Sequence, residues 1–145
     1  MQKRKLSNSL VNPIGLGCMN LSHAYGVPPS VETGREILLK ALDLGVDHFD
    51  TAALYGFGKN EELVGETLKP YRNKFFLASK CGMQGIDGVR VIDGRPETIK
   101  KTLEDSLRRL QTDVIDLYYL HRLDIKGGVP IEDSVGAMAD LVNEG

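Results

Sequence analysis

Residues 96–121 read PETIKKTLEDSLRRLQTDVIDLYYLH, and two structural periods meet inside them. Ile99, Leu103, Leu107 and Leu110 recur at helical spacing. Pro96 suits the first helical position, where a missing N–H costs nothing. From Val114 to Leu120 the pattern changes to a short apolar run rich in β-branched and aromatic residues, a strand by content and length. That strand ends on His121. A helix followed at once by an apolar strand is one step of an α/β chain.

The same alternation extends in both directions. Upstream, the runs Pro13–Cys18, Val46–Thr51 and Lys74–Lys80 read as strands. Ser30 is placed to cap a helix whose Ile37, Leu38, Ala41 and Leu42 share a face, with Gly45 just past its end. Asn60 ahead of Glu61 and Glu62 suits a second capped helix, ending before Pro70. Residues 81–95, with Gly82, Gly85, Gly88 and Gly94, read as a long loop with room for a small hairpin. Downstream, Ile131, Val135, Met138 and Leu141 mark a last helix. The result is β-α-β-α-β-α-β-α, which implies a parallel sheet. An open doubly wound sheet and a barrel both satisfy it. A full eight-fold barrel takes roughly 200 residues or more, so four βα units in 145 residues would make half of one.

Composition narrows the function classes. Hydrophobic residues make up 41% and charged residues 26% of the chain, as in a folded globular protein and unlike a disordered one. The net charge of -2 gives no basic face for nucleic acid. No apolar run approaches the ~18 residues of a membrane span. Lys3-Arg4-Lys5 is followed by polar residues, which does not fit a secretory signal. Cys18 and Cys81 have no metal-ligand spacing and suit a reduced, cytoplasmic setting as plain packing residues. No metal site is expected.

Residues able to do chemistry gather at the strand ends. Asp50 closes the second strand with Tyr55 just beyond it, Lys80 closes the third, and His121 the fourth. In a parallel barrel all four face the end where βα loops build active sites. Taken singly, each has an ordinary structural role open to it: a cap, a packing ring, a solvated strand end, a satisfied polar group. Three consecutive strand ends carrying such groups point to a site. Gly15-Leu16-Gly17 is no dinucleotide fingerprint, because no third glycine follows at the required spacing.

Four stretches carry a family resemblance. IGLGCMNLSHAYG (14–26), FDTAALYGFGKNEELVGETL (49–68), ASKCG (78–82) and SLRRLQTDVIDLYYLHRLD (106–124) occur in the order seen in aldo-keto reductases, and together they resemble the first four βα units of that family. The resemblance implies a (β/α)8 TIM barrel, of which residues 1–145 are the N-terminal half with the C-terminal half absent. It implies NADPH as cofactor and an aldehyde or ketone as small-molecule substrate. The family's catalytic tetrad falls on Asp50, Tyr55, Lys80 and His121. Tyr55 would be the proton donor, its high reference pKa lowered by the Lys80 ammonium that Asp50 holds in place. His121 would orient the carbonyl. Gly17, Cys18 and Met19, with Asp50, match positions beside the cofactor. The family's remaining cofactor-binding residues fall after the fourth strand, outside these residues. His23, Tyr25 and Phe57 are candidates to line the substrate pocket, and 124–128 looks like a variable loop. A half alone is expected to have little or no activity, and two copies could pair as half-barrels in a homodimer. Two other readings stay open: a Schiff-base lyase using Lys80, and a non-catalytic cofactor-sensing subunit.

Overall fold

The computed structural model describes residues 2–6, 8–22, 25–126 and 128–145. An antiparallel hairpin of β1 (Arg4–Leu6) and β2 (Ser9–Val11) opens the chain. Then come β3 (Leu16–Gly17), α1 (Val31–Asp43), β4 (His48–Asp50), α2 (Lys59–Leu68) and β5 (Phe76–Cys81). A second antiparallel hairpin, β6 (Met83–Ile86) with β7 (Val89–Ile92), precedes α3 (Pro96–Leu110), β8 (Leu117–Leu120) and α4 (Ile131–Glu144).

Strands β3-β4-β5-β8 form one parallel sheet in chain order. A doubly wound sheet reverses its order at a switch point and places helices on both faces, whereas a barrel adds each strand beside the last and keeps its helices outside. Here Leu38 of α1, Leu63, Val64 and Leu68 of α2, and Leu110 of α3 pack on the same side as Cys18, Phe49, Phe75 and Leu77. Ala137 of α4 joins Cys81 and Ile99 in an adjoining cluster. The chain therefore has the TIM-barrel arrangement. Its register sets Gly17 beside Asp50, Asp50 beside Ala78, Ala78 beside Leu117 and Lys80 beside Tyr119. These residues alternate with the helix-facing ones and share the opposite face.

Several sequence expectations shift here. Pairing is confined to shorter strands than the apolar runs suggested. Pro13 cannot donate a ladder bond, and residues 69–74 wind into a 3-10 turn that Arg72 holds by donating to the Phe75 carbonyl (2.9 Å). Leu16 packs among the helices, and so does Phe75; Phe76 takes the inner position. Ile37 lies off the buried stripe of α1, while Leu38 is fully buried. In α4 the buried positions are Ser134 and Ala137, and Ile131 and Val135 are exposed. The Ser134 hydroxyl donates to the Gly94 carbonyl (2.6 Å), which turns that face inward. No helix among the described residues is long and apolar enough to cross a membrane.

Candidate active site

The site begins with the turn that follows β4. Thr51, Ala52, Ala53 and Leu54 are all buried, and Tyr55 opens a 3-10 turn over Tyr55–Gly58. Gly56, Phe57 and Gly58 all have positive φ (57°, 54° and 96°). Glycine enters that region freely, but Phe57 does so at a cost. Its ring is seated on Gly85 of β6, where a Cβ would run into the ring. The hairpin β6–β7 thus holds the turn that presents Tyr55.

Lys80, near the end of β5, reaches into this turn. Its Nζ donates to Asp50 Oδ1, to the Thr51 carbonyl (2.7 Å) and to the Tyr55 hydroxyl (3.2 Å). All three donor positions of the ammonium are used. The Lys80 side chain is 13% exposed and that of Asp50 32%. A charge so covered requires a partner, and Asp50 supplies it.

His121 enters from the end of β8, where its N–H donates to the Cys81 carbonyl (2.9 Å). Its ring stands edge-on to Tyr55 with centroids 5.7 Å apart. Burial, followed by the positive charges of Lys80 and Arg122, pushes its protonation below the ordinary histidine range, so at neutral pH the ring is uncharged. Its Nδ1 is buried with no partner among the described residues. The structure thus brings together the four strand-end residues that the sequence singled out.

Gly17 lies next to Asp50, with open space where a Cβ would be. Met19 starts a 3-10 turn. Cys18 is fully buried on the helix side, and burial with the charge of Asp50 pushes its thiol up to about 12. Burial pushes Cys81 up to about 11. Neither thiol forms a disulfide. Only the backbone of Cys18 can face a ligand. Tyr25 is 79% exposed, and His23 lies outside the described residues, as does Gly127 of the 124–128 loop.

Two buried residues of α2 support the site. Asn60, expected as a helix cap, sits inside α2 and is fully buried; Gly58 takes the cap position. Asn60 accepts from Thr51 Oγ1 (2.7 Å), and its Nδ2 donates to the Cys18 carbonyl (2.8 Å) and Ser22 Oγ (3.0 Å). It joins the loop after β3 to the turn after β4. Glu61 lies in the first turn of α2 as expected, and it is also fully buried. It accepts from Ser79 Oγ (2.6 Å) and from Arg109 through Nε (2.7 Å) and Nη2 (2.6 Å). The available signal was position: Glu61 shares the apolar stripe of Val64 and Leu68 on α2.

Known proteins agree with this architecture. The sequence model of the Aldo/keto reductase family matches residues 13–145. An aldo-keto reductase of Schizosaccharomyces pombe, named yakc [NADP(+)], is 42% identical across 98% of this chain and 42% of its own length. A holo-form aldo-keto reductase from Bacillus halodurans superposes with a TM-score of 0.89 at 40% identity, covering 100% of this chain and 47% of that one. An aldo/keto reductase from Klebsiella pneumoniae in complex with NADP and acetate gives 0.70 at 32% identity, over 95% and 44% of the two chains. The chain therefore spans under half the length of these relatives. With one family model covering most of its residues and a matching sheet, helix layer and strand-end cluster, it belongs to the aldo-keto reductase family.

Proposed function

We propose that this chain is the N-terminal half of a barrel enzyme that reduces aldehydes or ketones to alcohols with NADPH, and that Asp50, Tyr55, Lys80 and His121 are its catalytic residues. The observation that carries the reading is the geometry of Lys80, whose ammonium contacts Asp50, the Thr51 carbonyl and the Tyr55 hydroxyl together.

The cofactor assignment draws on the relatives' names and on a fit at this site. Gly17 leaves open space beside Asp50, where a flat ring can approach the backbone. Gly17, Met19 and the backbone of Cys18 would border the cofactor with Asp50, and NADPH would supply the hydride. The chain's own residues handle the proton. Tyr55 gives its phenolic proton to the carbonyl oxygen as the alcohol forms. Lys80, 3.2 Å from that hydroxyl, stabilises the negative charge left on the phenol oxygen. Asp50 and the Thr51 carbonyl fix the ammonium in place. The uncharged His121 has one N–H to offer the substrate oxygen, which steers it toward Tyr55.

A Schiff-base role for Lys80 fits less well. Attack on a carbonyl needs a free lone pair, and here all three donor directions of the ammonium are engaged. Removing a general acid lowers rates by roughly 10²–10⁴-fold. In the assembled barrel, Tyr55→Phe should therefore cut kcat by that order and leave NADPH affinity nearly unchanged. Retention of more than about a tenth of kcat would overturn the assignment.

A further inference from the structure

Hairpin β6–β7 and the segment after β8 both leave the sheet at the C-terminal ends of their strands, the end that carries Lys80 and His121. Between them lies a cavity of ≈ 700 Å³. Arg90 and Ile92 line it from the hairpin, and Arg122, Leu123, Ile125 and Lys126 from the segment that begins beside His121. Its lining is of two kinds. Ile92, Leu123 and Ile125 are 39%, 50% and 83% exposed, so apolar surface is offered to solvent. Beside it stand three cations against one lining carboxylate, Asp124.

That carboxylate already has a task, since its Oδ2 accepts from the Gly94 N–H (3.2 Å). Nearby Asp93 is committed to Arg95 and Thr98. No ion pair among the described residues engages Arg122 or Lys126. Surface cations on soluble proteins ordinarily stand among carboxylates of the opposite sign. An apolar hollow that Arg122 and Lys126 border in this way is instead complementary to a molecule with an apolar body and an anionic end. Guanidinium is suited to that end, because it grips a carboxylate through two parallel N–H bonds.

We propose that this pocket binds the acid end of an amphipathic carboxylate, with the carboxylate on Arg122 and Lys126 and the hydrocarbon along Ile92, Leu123 and Ile125. The substrate class that follows is a carbonyl-bearing acid, its carbonyl reaching Tyr55 and His121. Only this last step rests on the reductase reading of the neighbouring site. The acid pocket stands on its own lining.

The test uses the ¹⁵N-labelled full chain at low ionic strength, titrated with decanoate and, separately, with decyltrimethylammonium, each below its micelle threshold. Decanoate should saturably shift the amides of 89–93 and 122–126, and the cation should not. Exposed ion pairs contribute up to ~1 kcal/mol each, so the Arg122→Gln/Lys126→Gln double variant should weaken decanoate binding by about tenfold. Equal responses to both amphiphiles, shifts centred elsewhere, or unchanged affinity in the double variant would overturn the proposal. Turnover, measured in the assembled barrel, separates the two readings. If decanoate binds as expected but no carbonyl compound is reduced, the reductase reading fails and the pocket stands. If acid and neutral aldehydes are reduced with equal KM in parent and double variant, the pocket fails and the reductase reading stands.

Discussion

Replacing Arg109 with Met should destabilise this protein more than almost any other single surface-reachable change. Glu61 is fully buried, and among the described residues its Oε2 is satisfied only by the Arg109 guanidinium, at 2.7 and 2.6 Å. Ser79 serves Oε1. In Arg109→Met a full negative charge stays in the core between α2, β5 and α3 with half its acceptors empty. Breaking a buried pair from one side costs ~3–5 kcal/mol. The Arg109 side chain is 24% exposed, so some water can follow it inward, which favours the lower end. The helices cannot close up to compensate, because Gly65 of α2 already lies against the Arg109 and Leu110 backbone with no room for a Cβ. Glu61→Gln should be milder, about 1–2 kcal/mol, because a neutral amide keeps the Ser79 bond and the partly exposed guanidinium can turn to solvent. Urea unfolding followed by circular dichroism measures both. With m of ~1–3 kcal/mol/M, Arg109→Met should lower the midpoint by roughly 1–3 M. A midpoint shift no larger than that of Glu61→Gln would refute the reasoning.

Three further outcomes follow from the same geometry. Gly85→Ala should push the Phe57 ring off the hairpin, cost about 1 kcal/mol and lower kcat through the Tyr55 turn; if the two residues act together, Phe57→Ala should add nothing in that background, and full additivity in a double-mutant cycle would show otherwise. Asp93→Asn should destabilise the start of α3 by about 1 kcal/mol at neutral pH. Hydrogen bonds from Arg95 hold the Asp93 carboxyl at about 2, below its ordinary 3.8. The folded value is the lower one, so its contribution is whole above 3.8 and is lost as pH falls through about 2. A parent–variant difference in Tm that stays constant across that window would be the wrong result. Finally, β3 and β8 are the outer strands of the sheet, and open edges beside apolar surface drive association. Sedimentation equilibrium of the isolated chain should therefore show self-association, whereas a stable 15.9 kDa monomer with sharp near-UV dichroism would rule out paired half-barrels.

How far the sequence carried depended on whether local pattern and tertiary demand agreed. They agree in α3, where Pro96, Ile99 and Leu110 mark its start and buried face. They agree at the strand ends, because a parallel sheet delivers Asp50, Lys80 and His121 to one rim whatever the details of packing. They disagree in the first turn of α2. Asn60 and Glu61 look like a cap and a dipole-facing acid by local rule, but both are needed in the core, one to join two loops and the other to pair with Arg109. The hairpin β1–β2 escaped notice because three residues per strand show no period, and what positions it is distant: the Asn12 N–H donates to Asp47 Oδ1 (2.7 Å) and Lys3 pairs with Asp47 Oδ2 (3.0 Å). The seat of Phe57 on Gly85 is equally invisible, since it joins a turn to a hairpin strand 28 positions away.

The central claim, that Tyr55 gives the proton while NADPH gives the hydride to a carbonyl carbon, is tested most directly by following deuterium. The assembled barrel, whether its second half follows in the same chain or comes from another copy, is supplied with NADPH carrying deuterium at the transferable position and with an aldehyde, and the alcohol is analysed by mass spectrometry. The account predicts one deuterium on the former carbonyl carbon with the parent protein, and its loss in Tyr55→Phe while the variant still binds NADPH. Alcohol without the label, or label that persists undiminished in Tyr55→Phe, would contradict it.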